Sequence, residues 1–467
     1  MPSKKRKGIK TMRIELDIPF TLAEIARITD GHLLEKNAKV CAISTDSREC
    51  FKNDIFFALN GNNFCGNDFL REAKARGAFT VSDREDTTLQ VNSARTALLK
   101  LATAYKEKIS PKITVAITGS TGKTTVKEFL AEMLKTKFKT HKSFENYNND
   151  LGLTHTLLSS PHDAEAFVCE LGMNKEKEIE ILSNALHPTV SVITNVGTAH
   201  IGELGSRESI ARAKLEIERG MNGGKVIIFD NEPLLRDAKN PYFVSEENEN
   251  ADLIFRVLSK VSSGSTVYIK TKTDEMIAFS HLTSEHHLRD IALCVATCDV
   301  LGFSKFEICD AIKSISEKLL RQREICVGKY RFYDDSYNSS AEAVIANLKM
   351  LSERSDNNSA LLGDMLELGE EGEKLHYEIG LATAKYNFKK IYSFGNYSKF
   401  IAAGAQDGGI KEENIFINQN LTKPELTAKA IIESYNGETI LAKASHSIKI
   451  DRIFRLISVM EGENAND

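Results

Sequence analysis

Gly119 and Gly122 enclose Ser120 and Thr121, and Lys123, Thr124 and Thr125 follow at once. Residues of these types, in this order, hold phosphate. The glycines let consecutive backbone N–H groups turn toward an oxyanion, and a helix N-terminus adds partial positive charge. Lys123 can reach terminal phosphate oxygens, and the Thr124 hydroxyl can hold Mg²⁺. The spacing, GxxGKT, is shorter than the common GxxxxGKT cradle. Ile113, Val115, Ala116 and Ile117 before it read as a buried parallel strand. Val126, Phe129, Leu130, Met133 and Leu134 after it fall on one helical face. An ordinary strand-to-helix turn has no need of Lys-Thr-Thr after its second glycine, so a nucleotide-phosphate site is expected.

Two further strand ends carry chemistry. The apolar run 166–169 stops at Glu170, and a carboxylate there points into the ligand crevice of an α/β sheet, where it can hold the Mg²⁺ of a nucleotide. The run 190–194 leads through Asn195, Val196, Gly197, Thr198 and Ala199 to His200, whose imidazole could face the same crevice as a metal ligand. Thr45, Asp46, Ser47 and Arg48 gather hydroxyls, a carboxylate and a guanidinium in one turn, which on its own reads as a capped loop with a surface ion pair. Lys214, among Arg212, Glu216 and Glu218, reads on composition as part of a solvated face. A cradle, an acid and a histidine leave kinase, NTPase motor and ATP-dependent ligase open.

The chain of 467 residues has room for about three domains of ordinary size. The pattern is α/β in three units: a small α/β domain over 1–110, a P-loop, ATPase-like parallel-sheet domain over 111–319, and a Rossmann-like α/β domain over 320–467. The helix over 93–109, stopped before Pro111, marks the first boundary. With 42% apolar and 27% charged residues the composition is that of a soluble globular protein, and no apolar run approaches the ~20 residues of a membrane helix. A net charge of −4 and the lack of a second basic block make Lys4, Lys5, Arg6 and Lys7 a solvated tail; no apolar segment follows them as in a secretory signal. Nucleic acid is not an expected partner. Eight scattered cysteines without CxxC point to a reducing compartment, hence the cytoplasm.

Taken together, residues 117–125, the run Asn146 to Asn149 with Gly152, residues 170–174, residues 195–200 and residues 213–216 resemble the Mur ligase family. Residues 45–48, 56–61, 334–338 and 362–369 look like its F-type branch. The resemblance spans about residues 40–450 and implies an ADP-forming ligase of cytoplasmic peptidoglycan-precursor synthesis. Its substrates would be ATP, UDP-N-acetylmuramoyl-tripeptide and D-alanyl-D-alanine, and the protein would be a monomer. A substrate carboxylate would attack the γ-phosphate, and an amine would then displace phosphate from the acyl phosphate.

The resemblance also implies roles. Gly119 to Thr125 would bind ATP, and two Mg²⁺ ions would rest on Thr124, Glu170, His200 and Lys214, the last carbamylated. Asn148 or Asn149 would contact phosphate or the metal's waters, with Asn149 preferred. Asp335 would reach the ribose and Arg321, or else Arg323, would meet ATP on domain closure. Asp290 would serve the adenine. Thr45, Asp46, Ser47 and Arg48 become uridine-nucleotide contacts, while Asn338, Asp364 and Glu367 would admit the dipeptide. This chain departs from the family pattern at His286-His287 and Asp290, where His-Asn and a further Asn are usual, at Asn338-Ser339-Ser340-Ala341, where a proline follows Asn-Ala-Asn, and at Lys443-Ala444-Ser445-His446, where Lys-Gly-Ser-Arg is usual. The alternatives are a relative with another amino-acid substrate, or a non-catalytic nucleotide-binding partner of cell-wall assembly.

Overall fold

The computed structural model describes residues 13–61, 64–320, 323–337 and 339–462, which form three sheets. The first has six strands, with Arg13–Thr21 antiparallel to Lys39–Ser44 and the strands Asp54–Phe57, Phe79–Ser82 and Leu89–Gln90 following in parallel. Its first helix, Leu22–Thr29, starts on the expected capping box, Thr21 with Glu24.

The central sheet has nine strands. Ile113–Thr118, the cradle strand, lies between Ala166–Glu170 and Val190–Ile193, both parallel to it. All three are buried along their whole length, which is why they read as continuous apolar runs. The chain leaves the cradle strand toward one edge, returns beside it at Ala166–Glu170, then crosses to the other side at Val190–Ile193. That reversal is the topological switch point, and the crevice opens at the strands' C-terminal ends. The expected meander is present as Leu253–Val261, Gly264–Thr271 and Glu275–Ser280, paired antiparallel.

The third sheet has six strands, five of them parallel, with Thr439–Lys443 at its centre between Tyr330–Asp334 and Asn358–Gly363. The helix Ala94–Ile109 is capped by Ser93 and ended by Ser110 in the left-handed region, one residue before Pro111. It packs on Asp150–Leu158 of the central unit, and the buried Lys106 ammonium donates to the Leu186 carbonyl at 2.8 Å. One apolar core therefore runs from the first sheet through this helix into one face of the central sheet.

Candidate active site

The cradle backbone takes the shape its glycines allow. Gly119 has φ +152° and Gly122 φ +79°, and a Cβ at Gly119 would lie 1.8 Å from Thr194 Oγ1. Thr194 and Asn195, at the neighbouring strand end, brace the loop. Thr194 Oγ1 donates to the Thr121 carbonyl at 2.5 Å, Asn195 Nδ2 donates to Thr121 Oγ1 at 2.8 Å, and the Thr121 N–H donates to Asn195 Oδ1 at 3.1 Å. Ser120 Oγ accepts from the Gly197 N–H at 2.8 Å. The loop's shape is braced by protein groups alone. Lys123 opens the helix Lys123–Lys135, and its ammonium folds back on the carbonyls of Gly119 (2.6 Å) and Ser120 (3.3 Å).

Glu170 stands where the sequence placed it. Thr124 Oγ1 donates to Glu170 Oε2 at 2.7 Å, and Asn148 Nδ2 donates to Oε1 at 2.9 Å. Asn148 is thus the amide that meets the acid. Asn149, the preferred choice from sequence, instead caps the helix Asp150–Leu158, its Oδ1 accepting from the Gly152 N–H at 2.8 Å, although it still lines the cavity. Lys127, one helical turn beyond Lys123 and fully buried, donates to the Glu145 carbonyl at 2.6 Å and pairs with Glu128 at 3.1 Å, and Glu128 also pairs with Lys142. That clamp holds the amide-rich loop down while Glu145 adopts φ +43°.

His200, itself at φ +65°, turns toward the third domain: Glu367 Oε2 lies 2.6 Å from its Nδ1, outside hydrogen-bond alignment. Burial, followed by the charge of Lys123, holds its pKa down. Lys214 is 1% exposed. Burial first, then the Lys123 ammonium, pushes its pKa well below the ordinary lysine value. Lys214 is therefore no solvated face: it is a buried amine close to a cation and a histidine. Among the described residues no group of three or more His, Cys, Asp or Glu is assembled to hold a metal ion. Thr124 and Glu170 supply two hard oxygen donors beside the cradle, which suits Mg²⁺; His200 and Lys214 do not complete a set with them in this arrangement.

These residues open into a cavity of about 1440 Å³ lined by all three units, among them Thr45, Thr124, Glu170, Asp290, Asp335 and Glu367. Asp290, on the helix Glu285–Val300, brings Oδ1 to within 2.8 Å of where a Cβ on Gly122 would sit. Beside it are His286 and His287, with ring centroids 4.0 Å apart, and Phe229 under the Arg289 guanidinium at 4.0 Å. Asp335 accepts from Lys443 Nζ and Asn347 Nδ2, each at 2.5 Å.

Other expected residues are spent elsewhere. Asp46 caps Arg48 N–H at 2.9 Å and pairs with its guanidinium at 2.5 Å, which holds the Asp46 carboxyl below its usual pKa. Ser47 Oγ donates to Glu72 at 2.9 Å. Of that turn, only Thr45 lines the cavity. Asp364 is fully buried and accepts from the N–H groups of Asn396 (2.8 Å) and Tyr397 (2.9 Å), so it shapes the 364–369 loop rather than facing a ligand. Arg323 is exposed on the strand Arg323–Val327 and does not line the cavity. Arg321 and Asn338 lie outside the described residues. Asn195 and Lys443 entered only as members of motifs, with no role of their own, and Glu342, which accepts from the Thr198 N–H at 2.7 Å, was not singled out. Asn195 had a legible signal, a polar residue at a strand end next to the cradle; Glu342 had none short of the tertiary fold.

A family model described as the Mur ligase middle domain matches residues 117–298, the span that carries the cradle, Glu170, His200, Lys214 and Asp290. That span is a Mur ligase middle domain. The chain is 28% identical over 457 residues to the UDP-N-acetylmuramoyl-tripeptide--D-alanyl-D-alanine ligase of Bacillus subtilis, covering 94% of this chain and 98% of that protein. The Escherichia coli protein of that name is also 28% identical, with 94% and 98% coverage. Among solved structures the chain resembles the MurF ligase from Thermotoga maritima in complex with ADP, at TM-score 0.76 and 26% identity over 89% of this chain and 97% of that one. Its fold matches a MurF from Acinetobacter baumannii at TM-score 0.84 and 24% identity, over 96% and 100%.

Proposed function

We propose that this protein is a Mur ligase that joins D-alanyl-D-alanine to UDP-N-acetylmuramoyl-tripeptide with cleavage of ATP to ADP and phosphate, in the cytoplasm, as a step of peptidoglycan-precursor synthesis. The observation that carries the reading is the Thr124–Glu170–Asn148 contact at the lip of the phosphate cradle, inside a cavity large enough for a nucleotide and a second substrate. No helix among the described residues is long and apolar enough to cross a membrane.

The N–H groups at the start of the Lys123–Lys135 helix receive the polyphosphate of ATP, and Lys123 swings from the loop carbonyls to its terminal oxygens. The tripeptide carboxylate attacks the γ-phosphorus and ADP departs, leaving an acyl phosphate. The dipeptide amine then adds to the acyl carbon, loses its proton, and phosphate leaves. Bringing a carboxylate up to a polyphosphate is the main electrostatic obstacle, so cations must converge. Mg²⁺ would be held by Thr124 and Glu170 and would supply charge that offsets this repulsion; His200 and a carbamylated Lys214, which do not complete a set in this arrangement, would serve a second ion on closure. Asn148 fixes the Glu170 carboxylate in orientation. The buried, deprotonated Lys214 amine is the form that can take up CO₂, and the resulting carbamate would turn an unfavourable pair of lysines into an ion pair with Lys123. Asp335 is presented to the ribose, and closure of the third domain over the cradle completes the site.

Incubation with ATP, Mg²⁺, UDP-N-acetylmuramoyl-tripeptide and D-alanyl-D-alanine should release phosphate and give one product heavier by the dipeptide less water, read by mass spectrometry. Release with a diamino acid and the dipeptide precursor, but none with D-alanyl-D-alanine, would overturn the choice of substrates.

A further inference from the structure

Asp290 is an acid without a counter-charge in a place meant for a ring. It is 9% exposed, and among the described residues nothing donates a hydrogen bond to it. Arg289 beside it is committed elsewhere, to Glu246 at 2.6 Å, Asn231 at 3.3 Å and the face of Phe229. The groups facing Asp290 are few. On its own helix they are Arg289 and Cys294, and from the cradle, Gly122; His286, His287, Phe229 and Lys123, whose ammonium is turned to loop carbonyls, line the same cavity. Across the cavity stand Asp335 and Lys443 of the third unit, paired with one another, while Arg354, whose charge reaches His286, is paired with Glu317.

The end of the cavity beyond Gly122 is walled by the His286 and His287 rings, Phe229 and Leu293, flat and apolar surfaces suited to a base whose phosphates lie on residues 119–125. Either polar edge of adenine offers a ring-nitrogen acceptor next to the exocyclic amine donor. A carboxylate only accepts, so it would meet the ring nitrogen lone pair to lone pair. A carboxylic acid offers one O–H donor and one C=O acceptor, the pairing that a side-chain amide makes with adenine.

We propose that Asp290 reads the adenine of ATP as a neutral acid, its O–H donating to a ring nitrogen and its C=O accepting from the exocyclic amine. The proposal rests on the ATP reading of this cavity but not on the identity of the amine acceptor. Burial without a partner disfavours the ionised form and raises the Asp290 pKa well above the usual value. The triphosphate, drawn to the same cavity, adds negative charge and favours the acid further. Ionisation on raising the pH therefore removes a donor and weakens ATP binding, whereas an amide at 290 has nothing to lose. His286, held down to about 4 by burial, stays neutral meanwhile.

Two measurements on the full chain, with ATP and Mg²⁺ alone, test this. Infrared difference spectra of the wild-type complex against D290N should show, at neutral pH, the carbonyl stretch of a protonated carboxyl that shifts in D₂O. Calorimetric Kd values for ATP between pH 6 and 9.5 should stay constant in wild type until the same band is lost from the free protein, rise tenfold per pH unit above that point while the band persists in the complex, and level off where the complex loses it. In D290N the affinity should not follow pH, and in D290L it should be at least tenfold weaker throughout. An ionised Asp290 in the neutral-pH complex, or wild-type affinity unchanged after Asp290 has ionised in the free protein, would overturn the proposal. Failure of wild type to bind ATP at every pH would overturn the ATP reading together with it.

Discussion

The Lys123 ammonium lies close enough to Lys214 to help hold its pKa down, yet their surroundings differ. Lys123 has carbonyl acceptors and can trade them for phosphate oxygens, while Lys214 is sealed from water with no acceptor among the described residues. An uncompensated buried ammonium is expensive, which favours the neutral amine, the form that the proposed carbamylation needs. Turnover should therefore fall at least tenfold in buffer stripped of CO₂ and recover on adding bicarbonate. Lys214→Ala should lose activity by two to three orders of magnitude, the scale for removing a group that stabilises charge in the transition state. Short-chain carboxylates should restore part of it and bicarbonate none, as measured by phosphate release; no rescue by any added acid would count against the carbamate.

At the scale of elements, the loop from Glu145 to Asn149 separates a structural amide from a site amide. Asn149→Ala should cost about 1 kcal/mol of stability, the worth of an N-cap, and Asn149→Ser should restore it, seen as a paired shift in melting temperature. Asn148→Ala should instead lower turnover at least tenfold, beyond any change in melting, because Glu170 loses the donor that orients it. Much of this scale was legible in the chain. The cradle strand, the two flanking strands and their terminal residues follow from unbroken apolar runs that stop at Gly119, Glu170 and Thr194. What could not be read was which of two neighbouring asparagines faces inward, since both readings satisfy the same composition. Residues 45–48 allowed two readings for a related reason. Asp46 and Arg48 are the right types for a polar ligand, but the same types satisfy one another across a tight turn, and only burial and hydrogen bonds show which use prevails. Lys214 misled in the opposite direction, because a helix with charged neighbours can still bury one of its lysines.

Across the whole molecule, the third unit touches the central one at a narrow seam. Glu342 accepts from Thr198 N–H, the Glu367 carbonyl accepts from Gly202 N–H at 3.0 Å, and Ile201 packs against the third unit's own core. Gly202 and Gly369 meet so closely that a Cβ on Gly202 would lie 2.5 Å from the Gly369 nitrogen. Gly202→Val should hold that seam open. Small-angle scattering of the variant should then show no contraction on adding an ATP analogue with the UDP-linked substrate, where wild type contracts, and turnover should drop at least tenfold. Unchanged wild-type dimensions would count against closure itself.

The continuous apolar core between the first two sheets has a thermal counterpart. Cooperative melting follows shared cores rather than sheets, so the chain should show two endotherms in scanning calorimetry, one for residues 13–320 as a block and one for the remainder. ATP, gripped chiefly by the larger block but touched by Asp335, should raise both and draw them together. Three separate endotherms would mean that Tyr105, Lys106 and the helix that carries them do not transmit cooperativity between the first and second sheets.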